Sequence, residues 1–326
     1  MEQTTTTNLT YDEALEIFLG TDASYAGGLS NHGPMATEAL VSMGIEPWIG
    51  PFVSAYRTRL EPPHDEIEPA PLDWATWLRA ELPALVGTTA TLAGHGLLRV
   101  AHAVRGLERE TGEAPLIRRR ELGAAAHYWR SGGRGLGGPE RLDGHQAPDE
   151  WSDHLGRLPA DQRRAGNLMG TLHRAASTDG FPERIRGLEP APTPGETLDA
   201  LATAAAGAYL RNTGLAAFTL LHGTTVSAMA RQLLPHLDEV DGHRLEAAVA
   251  TFVGAALIGF DEGAAGQFDE AALADTVTLA SRAGASLDDH TIKFADACLG
   301  VASRTGSTVP LLALSRQIEA PYGTAR

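Results

Sequence analysis

Twelve histidines stand in this chain, and five of them, His32, His95, His102, His222 and His290, sit among apolar or small residues, with His127 a weaker sixth. His32 opens a helix in Leu29-Ser30-Asn31-His32-Gly33-Pro34-Met35. His95 lies in Ala93-Gly94-His95-Gly96-Leu97-Leu98, where flanking glycines let another element come close. His222 falls inside the most apolar stretch, Phe218-Thr219-Leu220-Leu221-His222-Gly223. Imidazole is the commonest side-chain ligand for first-row metals, and a site rich in it suits iron, zinc or copper. His64, His145, His154 and His243 have polar neighbours, and His173 and His236 read as helix-surface or helix-end residues.

Lysine supplies a second signal. Of 26 basic residues only Lys293 is lysine; the other 25 are arginine. A composition that has exchanged lysine for arginine wherever a generic positive charge suffices keeps lysine where an amine is needed. An amine can lose its proton, form a Schiff base or combine with carbon dioxide to give a carbamate, and a guanidinium does none of these readily. Lys293 follows His290 by three residues, so both share one helical face. A carboxylated lysine would add an anionic oxygen donor to an otherwise neutral histidine set. His95 and His102, seven residues apart, also lie nearly on one face. His102 therefore either joins the set, orients a ligand or contacts substrate, for which a neutral imidazole can act as base.

The elements that must carry these residues read as helices. Thr10 with Glu13 makes a capping-box pattern before Leu15, Phe18 and Leu19. Further helices are expected over 34–43, 72–86, 88–109, 116–130, 160–176, 196–210, 213–234, 243–259, 269–283, 288–303 and 308–318, filled with Ala, Leu, Glu and Arg. Alternating β-branched runs are nearly absent, so the fold class is all-α, a large multi-helix domain with its site between helices. Residues 131–150 (Gly-rich) and 186–196 (Pro190, Pro192, Pro194) read as loops. The expected organisation is one domain over 1–326, which the second loop would split into two lobes. Gly133, Gly135 and Gly138 satisfy G-x-G-x-x-G, but a helix precedes them and a polar loop follows, the wrong context for a dinucleotide. Asp288-Asp289 reads as the cap of the helix after it rather than as a magnesium motif.

A net charge of −15 speaks against nucleic acid as partner. The Thr-rich N-terminus is not a signal peptide, and no stretch reaches the roughly 18 apolar residues of a membrane span. The single cysteine, Cys298, allows no internal disulfide. A cytoplasmic protein is expected, free of membrane and open to homo-oligomer formation.

Several pieces of the chain resemble the questin oxidase-like family, helical proteins of aromatic polyketide pathways. They are Tyr11-Asp12-Glu13-Ala14-Leu15, Leu29 to Met35, Gly94-His95-Gly96-Leu97-Leu98-Arg99, Leu221-His222-Gly223-Thr224-Thr225 and Asp289-His290-Thr291-Ile292-Lys293. The resemblance runs in order from residue 11 to about 300 and departs at Arg99, where fungal members carry a second histidine. It implies oxidative cleavage of, or oxygen insertion into, an anthraquinone-type ring. Metal-site roles would fall on His32, His95, His222 and His290, with Lys293 as an added ligand.

The expected activity is thus that of an oxygenase with Fe(II) and dioxygen, acting on a polycyclic aromatic polyketide. The flat substrate would rest on aromatic side chains such as Trp48, Phe52, Trp74, Trp77 and Trp129, and His102 would take a phenolic proton. Two other readings remain open at this point. One is a Baeyer–Villiger-like oxygenase using NADPH or no metal; the other is a non-catalytic helical protein that sequesters a hydrophobic metabolite or a metal.

Overall fold

The computed structural model describes residues 8–26, 28–63, 67–163, 167–263 and 273–323. Sixteen α-helices account for most of these residues, joined by short 3-10 turns and one two-stranded antiparallel ribbon, Ser24–Tyr25 with Leu29–Ser30. The fold is all-α. In chain order the helices are α1 Tyr11–Leu19, α2 Gly33–Ser42, α3 Ile49–Tyr56, α4 Trp74–Val86, α5 His95–Glu108, α6 Leu116–Ser131, α7 Pro148–His154 and α8 Ala160–Arg163. They continue as α9 Leu168–Ala176, α10 Phe181–Arg186, α11 Pro194–Arg211, α12 Gly214–Ala230, α13 Glu239–Phe260, α14 Thr276–Ala285, α15 Asp289–Thr305 and α16 Val309–Glu319.

Local chemistry explains most boundaries. The Thr10–Glu13 capping box opens α1 as expected, and a second one, Thr193 with Glu196, opens α11 with Pro194 in its first turn. The proline-rich loop therefore ends in a helix start two residues earlier than periodicity alone suggests. Asp288 caps α15 by accepting from Thr291 N at 2.8 Å. The helix expected over 88–109 is broken: Thr91–Gly94 forms a 3-10 turn in which Leu92, Ala93 and Gly94 have left-handed φ of 52°, 54° and 81°. The stretch 213–234 tightens into a 3-10 turn after Ala230, and 160–176 divides into α8 and α9, with residues 164–166 outside the described set. Of the helix expected over 269–283, residues 269–272 lie outside it too, and α14 begins at Thr276 under an Asp275 cap. Helices α3, α7 and α10 are too short to show a clear apolar period.

Four helices position the site. α2, α5, α12 and α15 contact one another in a ring, α2 on α5, α5 on α12, α12 on α15 and α15 on α2. His32, His95 and His290 stand at or next to the first residue of their helices, and Arg105, further along α5, bonds Glu38 of α2 and Asp296 of α15. These three helices thus run away from the histidines in the same sense. Parallel neighbours need long crossover connections, which α3 with α4 and the chain between α5 and α15 supply. One buried apolar cluster runs from Met35 to Leu314 and includes residues on both sides of 186–196. A smaller one joins Phe18, Leu40, Phe52 and Tyr56 to Ile292.

α13 qualifies a sequence expectation. Over 18 residues its mean hydropathy of 1.2 makes it long and apolar enough to cross a membrane, yet 83% of that window is buried inside the protein. A central core helix passes the same test because it is apolar on every side.

The loop glycines serve packing. A Cβ on Gly135 would strike the Gly87 carbonyl oxygen at 2.1 Å, and one on Gly138 would strike Thr251 at 1.9 Å. On α5, a Cβ at Gly96 would meet the Trp129 ring at 2.6 Å and its Cα at 2.8 Å. Gly96→Ala should therefore lower stability by about 1–3 kcal/mol through overpacking, more than its gain in helix propensity returns. Gly87→Ala, with open space around its new Cβ, should stay near neutral. Equal urea midpoints for the two variants would count against this close α5–α6 contact.

Candidate metal centre

His32, His95, His222 and His290, expected from sequence as a ligand set, are brought together by the four-helix ring. Ring centroids are 4.6 Å apart for His32 and His95, 4.5 Å for His32 and His290, 4.9 Å for His95 and His222, and 5.2 Å for His222 and His290. One nitrogen from each of His32, His95 and His290 falls within 4.8 Å of the others. Ligand atoms on opposite sides of a metal with bonds near 2.1 Å lie about 4.2 Å apart, so this trio is close to coordinating separation. His222 stands slightly outside it.

The hydrogen bonds of the four rings share one pattern. His95 Nδ1–H donates to the Leu92 carbonyl at 2.6 Å, and His222 Nδ1–H donates to the Phe218 carbonyl at 2.7 Å. A carbonyl oxygen can only accept, so both tautomers are set, with the lone pair on Nε2. Asp289 accepts from His32 Nδ1 and lies 3.1 Å from His290 Nδ1 through the same Oδ2. The four Nε2 atoms are buried without a hydrogen-bond partner, and so is Lys293 Nζ.

The strained turn before α5 has a local purpose. Three left-handed residues in succession bring the Leu92 carbonyl back under the His95 ring. Gly94 is fixed by space as well as by φ, since a Cβ there would lie 2.3 Å from Val226 on α12. Two left-handed non-glycine residues together cost on the order of 1–3 kcal/mol each, and such strain concentrates at functional sites.

Burial sets the charge states. It pushes His32 down to about 3, assisted by the Lys293 charge and opposed by Asp289. Burial likewise holds His95 well below its ordinary value, followed by the charges of His32 and Lys293. His222 is lowered in the same way, by burial and then by His290 and Lys293. Burial works against ionisation of Asp289, but His290 and His32 hold its carboxyl well below the usual range. The Lys293 amine is brought down to about 8 by burial, against the pull of Asp289 and Asp288. Neutral imidazoles around an ionised carboxylate, with an amine that readily loses its proton, make a donor set suited to a first-row cation.

His102 is placed elsewhere. Its Nδ1 bonds Glu38 at 2.6 Å in a buried layer further along the ring, where Arg105 bridges Glu38 and Asp296, and Arg109 reaches Glu38 at 2.6 Å. Glu38, His102 and Asp296 could also surround a metal, but two arginines already neutralise them. A cavity of about 920 Å³ opens beside this layer, lined by Arg105, Asp296, Ala228, Met229 and Ala297, with none of the four histidines in its walls. His127 is exposed on α6.

The rings against the site are not those expected. Phe218 packs at 4.7 Å from His222 and 4.8 Å from His290, and Tyr322 sits 5.4 Å from Phe218 and 6.2 Å from His290. Trp129 instead packs on Gly96, Trp48 on Gly284, Phe52 among Phe18 and Tyr56, and Trp74 near His236, while Trp77 lies half-buried against the main core. Phe218 could have been found, since it precedes His222 by one helical turn. Asp289 was visible only as half of a capping pair, and Leu92 and Tyr322 carry no sequence signal. No protein-family model matches the chain, and no curated protein matches it either.

Buried histidines held neutral bind fewer protons in the folded protein than in the unfolded chain. For His32 this holds between about 3 and the unfolded value near 6.5, so stability falls as pH drops through that window. Each imidazole still neutral at pH 5 costs on the order of 2 kcal/mol. Chelator-treated protein should therefore show a clearly lower urea midpoint at pH 5 than at pH 7, with a smaller difference in His95→Asn. Identical midpoints at both values would sink the claim that His32, His95 and His222 are held neutral.

Proposed function

We propose that the chain is a non-heme iron oxygenase of the questin oxidase-like kind, which uses dioxygen to cleave, or insert oxygen into, a ring of an anthraquinone-type aromatic polyketide. The observation that carries this reading is the set of four buried Nε2 lone pairs that face no partner while every Nδ1 is tied to an oxygen. Leaving one buried polar atom unsatisfied costs about 1–3 kcal/mol, and four in one place with an amine argue for an occupant that satisfies them together. Imidazole donors fit iron, and the ordered matches around His32, His95, His222, His290 and Lys293 favour that metal over a purely structural one.

His32, His95, His222 and His290 would hold the iron. Lys293 fits the set once its neutral amine adds to carbon dioxide, forming an N–C bond and releasing one proton, which leaves a carbamate oxygen as donor. Four imidazoles and one carbamate would give the iron five donors from the protein. The iron, when bound, supplies dioxygen activation. The protein's own groups do the remainder. The Leu92 and Phe218 carbonyls and Asp289 keep the imidazoles oriented. Phe218 and Tyr322 pack against His290, which is 14% exposed. His102, bonded to Glu38, serves as a positioning residue between α2 and α5, and deprotonation of a phenol by it would have to act from that second layer.

Metal analysis of anaerobically purified protein tests the centre. Wild type should carry near-stoichiometric iron, His222→Ala should lose most of it, and Lys293→Arg should hold less than wild type. Oxygen uptake with a hydroxyanthraquinone, present in wild type and absent in His222→Ala, would complete the case. A wild-type protein that neither carries nor accepts any first-row metal ends the iron reading and leaves the histidines as acid–base groups of a metal-free oxygenase. Iron without oxygen uptake would mark a binding protein instead.

A further inference from the structure

Arg99 stands one helical turn after His95 on α5 and is buried. Its guanidinium pairs with Glu121 of α6, also buried, through Nε at 2.7 Å and Nη2 at 2.9 Å. The third nitrogen, Nη1, is buried without any hydrogen-bond partner. Burying a charged donor in that state is costly, and such a group is normally completed by something that the folded chain alone does not provide.

The same side chain lines a cavity of about 680 Å³ between the Leu19–Ser24 segment, Ile67–Pro69 and α6. Arg120, Ala124, Tyr128 and Ser131 reach it from one face of α6, at the four-, four- and three-residue steps that a helical stripe requires. Arg99, Ala124 and Tyr128 are its buried walls, and Arg120, His127 and Ser131 its exposed rim. None of the four histidines lines it, but two of its wall residues are tied to them along the chain. Arg99 follows His95 by one turn, and Tyr128 shares a 2.5 Å hydroxyl contact with Ser30, two residues before His32. The volume lies within the range of small-molecule sites.

We propose that this cavity receives the substrate of the reaction suggested above, and that Arg99 Nη1 donates a hydrogen bond to a ring carbonyl of a planar quinone. The inference rests on that reading for its ligand class, but the cavity and the free donor stand without it. Charge balance selects a carbonyl over a carboxylate. Glu121 already neutralises Arg99, and Asp22 with Glu68 outweighs Arg120 along the walls, so a full anion would meet net repulsion where a neutral acceptor would not. Arg99 is thus a specificity-determining residue, which selects oxygenated over plain aromatic rings.

Equilibrium titration with alizarin, a dihydroxyanthraquinone, and with a dihydroxyanthracene of the same skeleton lacking the quinone oxygens tests this on metal-free and iron-loaded protein. Ala124→Trp fills the cavity while leaving both members of the ion pair in place, and it should weaken alizarin at least tenfold. Arg99→Lys keeps a cation for Glu121 but loses the Nη1 donor. It should weaken alizarin about tenfold, the effect of one buried hydrogen bond lost, and leave the dihydroxyanthracene unchanged. Circular dichroism and iron content should match wild type in both variants. Alizarin binding that ignores Ala124→Trp, fails in wild type, or falls equally for both ligands in Arg99→Lys overturns the proposal. If wild type loads iron but alizarin ignores Ala124→Trp, only the cavity assignment fails. If iron does not load while alizarin binds through Ala124 and Arg99, only the iron reading fails.

Discussion

Imidazoles packed within touching distance in a protein interior are favoured uncharged, and burial holds His32, His95 and His222 in that form. Protonation of any of these three would place a cation near the other rings and Lys293 with little water to screen it. The Nδ1 contacts solve the problem by giving each ring one acceptor and directing the remaining lone pair inward. Each acceptor has a different origin: a strained turn for His95, a helix carbonyl one turn back for His222, and one carboxylate shared by His32 and His290. Asp289 does the most, because it joins α2 to α15 across 257 residues of chain.

The histidine cluster does not by itself fix how the helices align, since flat rings tolerate sliding. The second polar layer provides register. Arg105 reaches both Glu38 and Asp296, so a shift of any one of α2, α5 or α15 by a turn would strand a buried charge. Breaking such a pair costs about 3–5 kcal/mol, far more than its net contribution to stability. His102 belongs to this layer, where its Glu38 contact adds a further constraint between α2 and α5. Helix direction therefore follows from charge pairing at one level, and ligand geometry from tautomer pairing at the other.

How much of this could be read in the sequence depends on the range of each contact. The helices were legible because apolar period and capping pairs are local, and His95 was legible through Gly94 and Gly96, which Val226 and Trp129 require to be small. Lys293 was marked by composition and His290 by spacing. What was hidden is long-range or conformational. Asp289 looks like part of a cap until His32 arrives from the other end of the chain. Leu92 and Ala93 are ordinary residues whose left-handed backbone follows only from the packing of α5 on α12. The tryptophans drew attention by type, yet their bulk serves the core, and the rings at the site are Phe218 and Tyr322.

Lys293 closes the electrostatic argument. Many of the arginines in this chain stand opposite carboxylates, as Arg99 does with Glu121, Arg105 with Glu38 and Asp296, and Arg304 with Asp199. Lys293 has no partner within bonding distance and is buried near the neutral rings of His32, His95 and His222. An arginine there would stay charged at every accessible pH, whereas an amine lowered to about 8 can shed its proton. Asp289 is ionised and Arg59 lies 3.6 Å from its Oδ1, so the carboxylate charge is already partly matched when the amine is neutral. A carbamate would add one negative charge for a divalent cation to meet, where a protonated amine would add a positive one beside it. Of the two basic side chains this composition uses, only lysine can make that exchange.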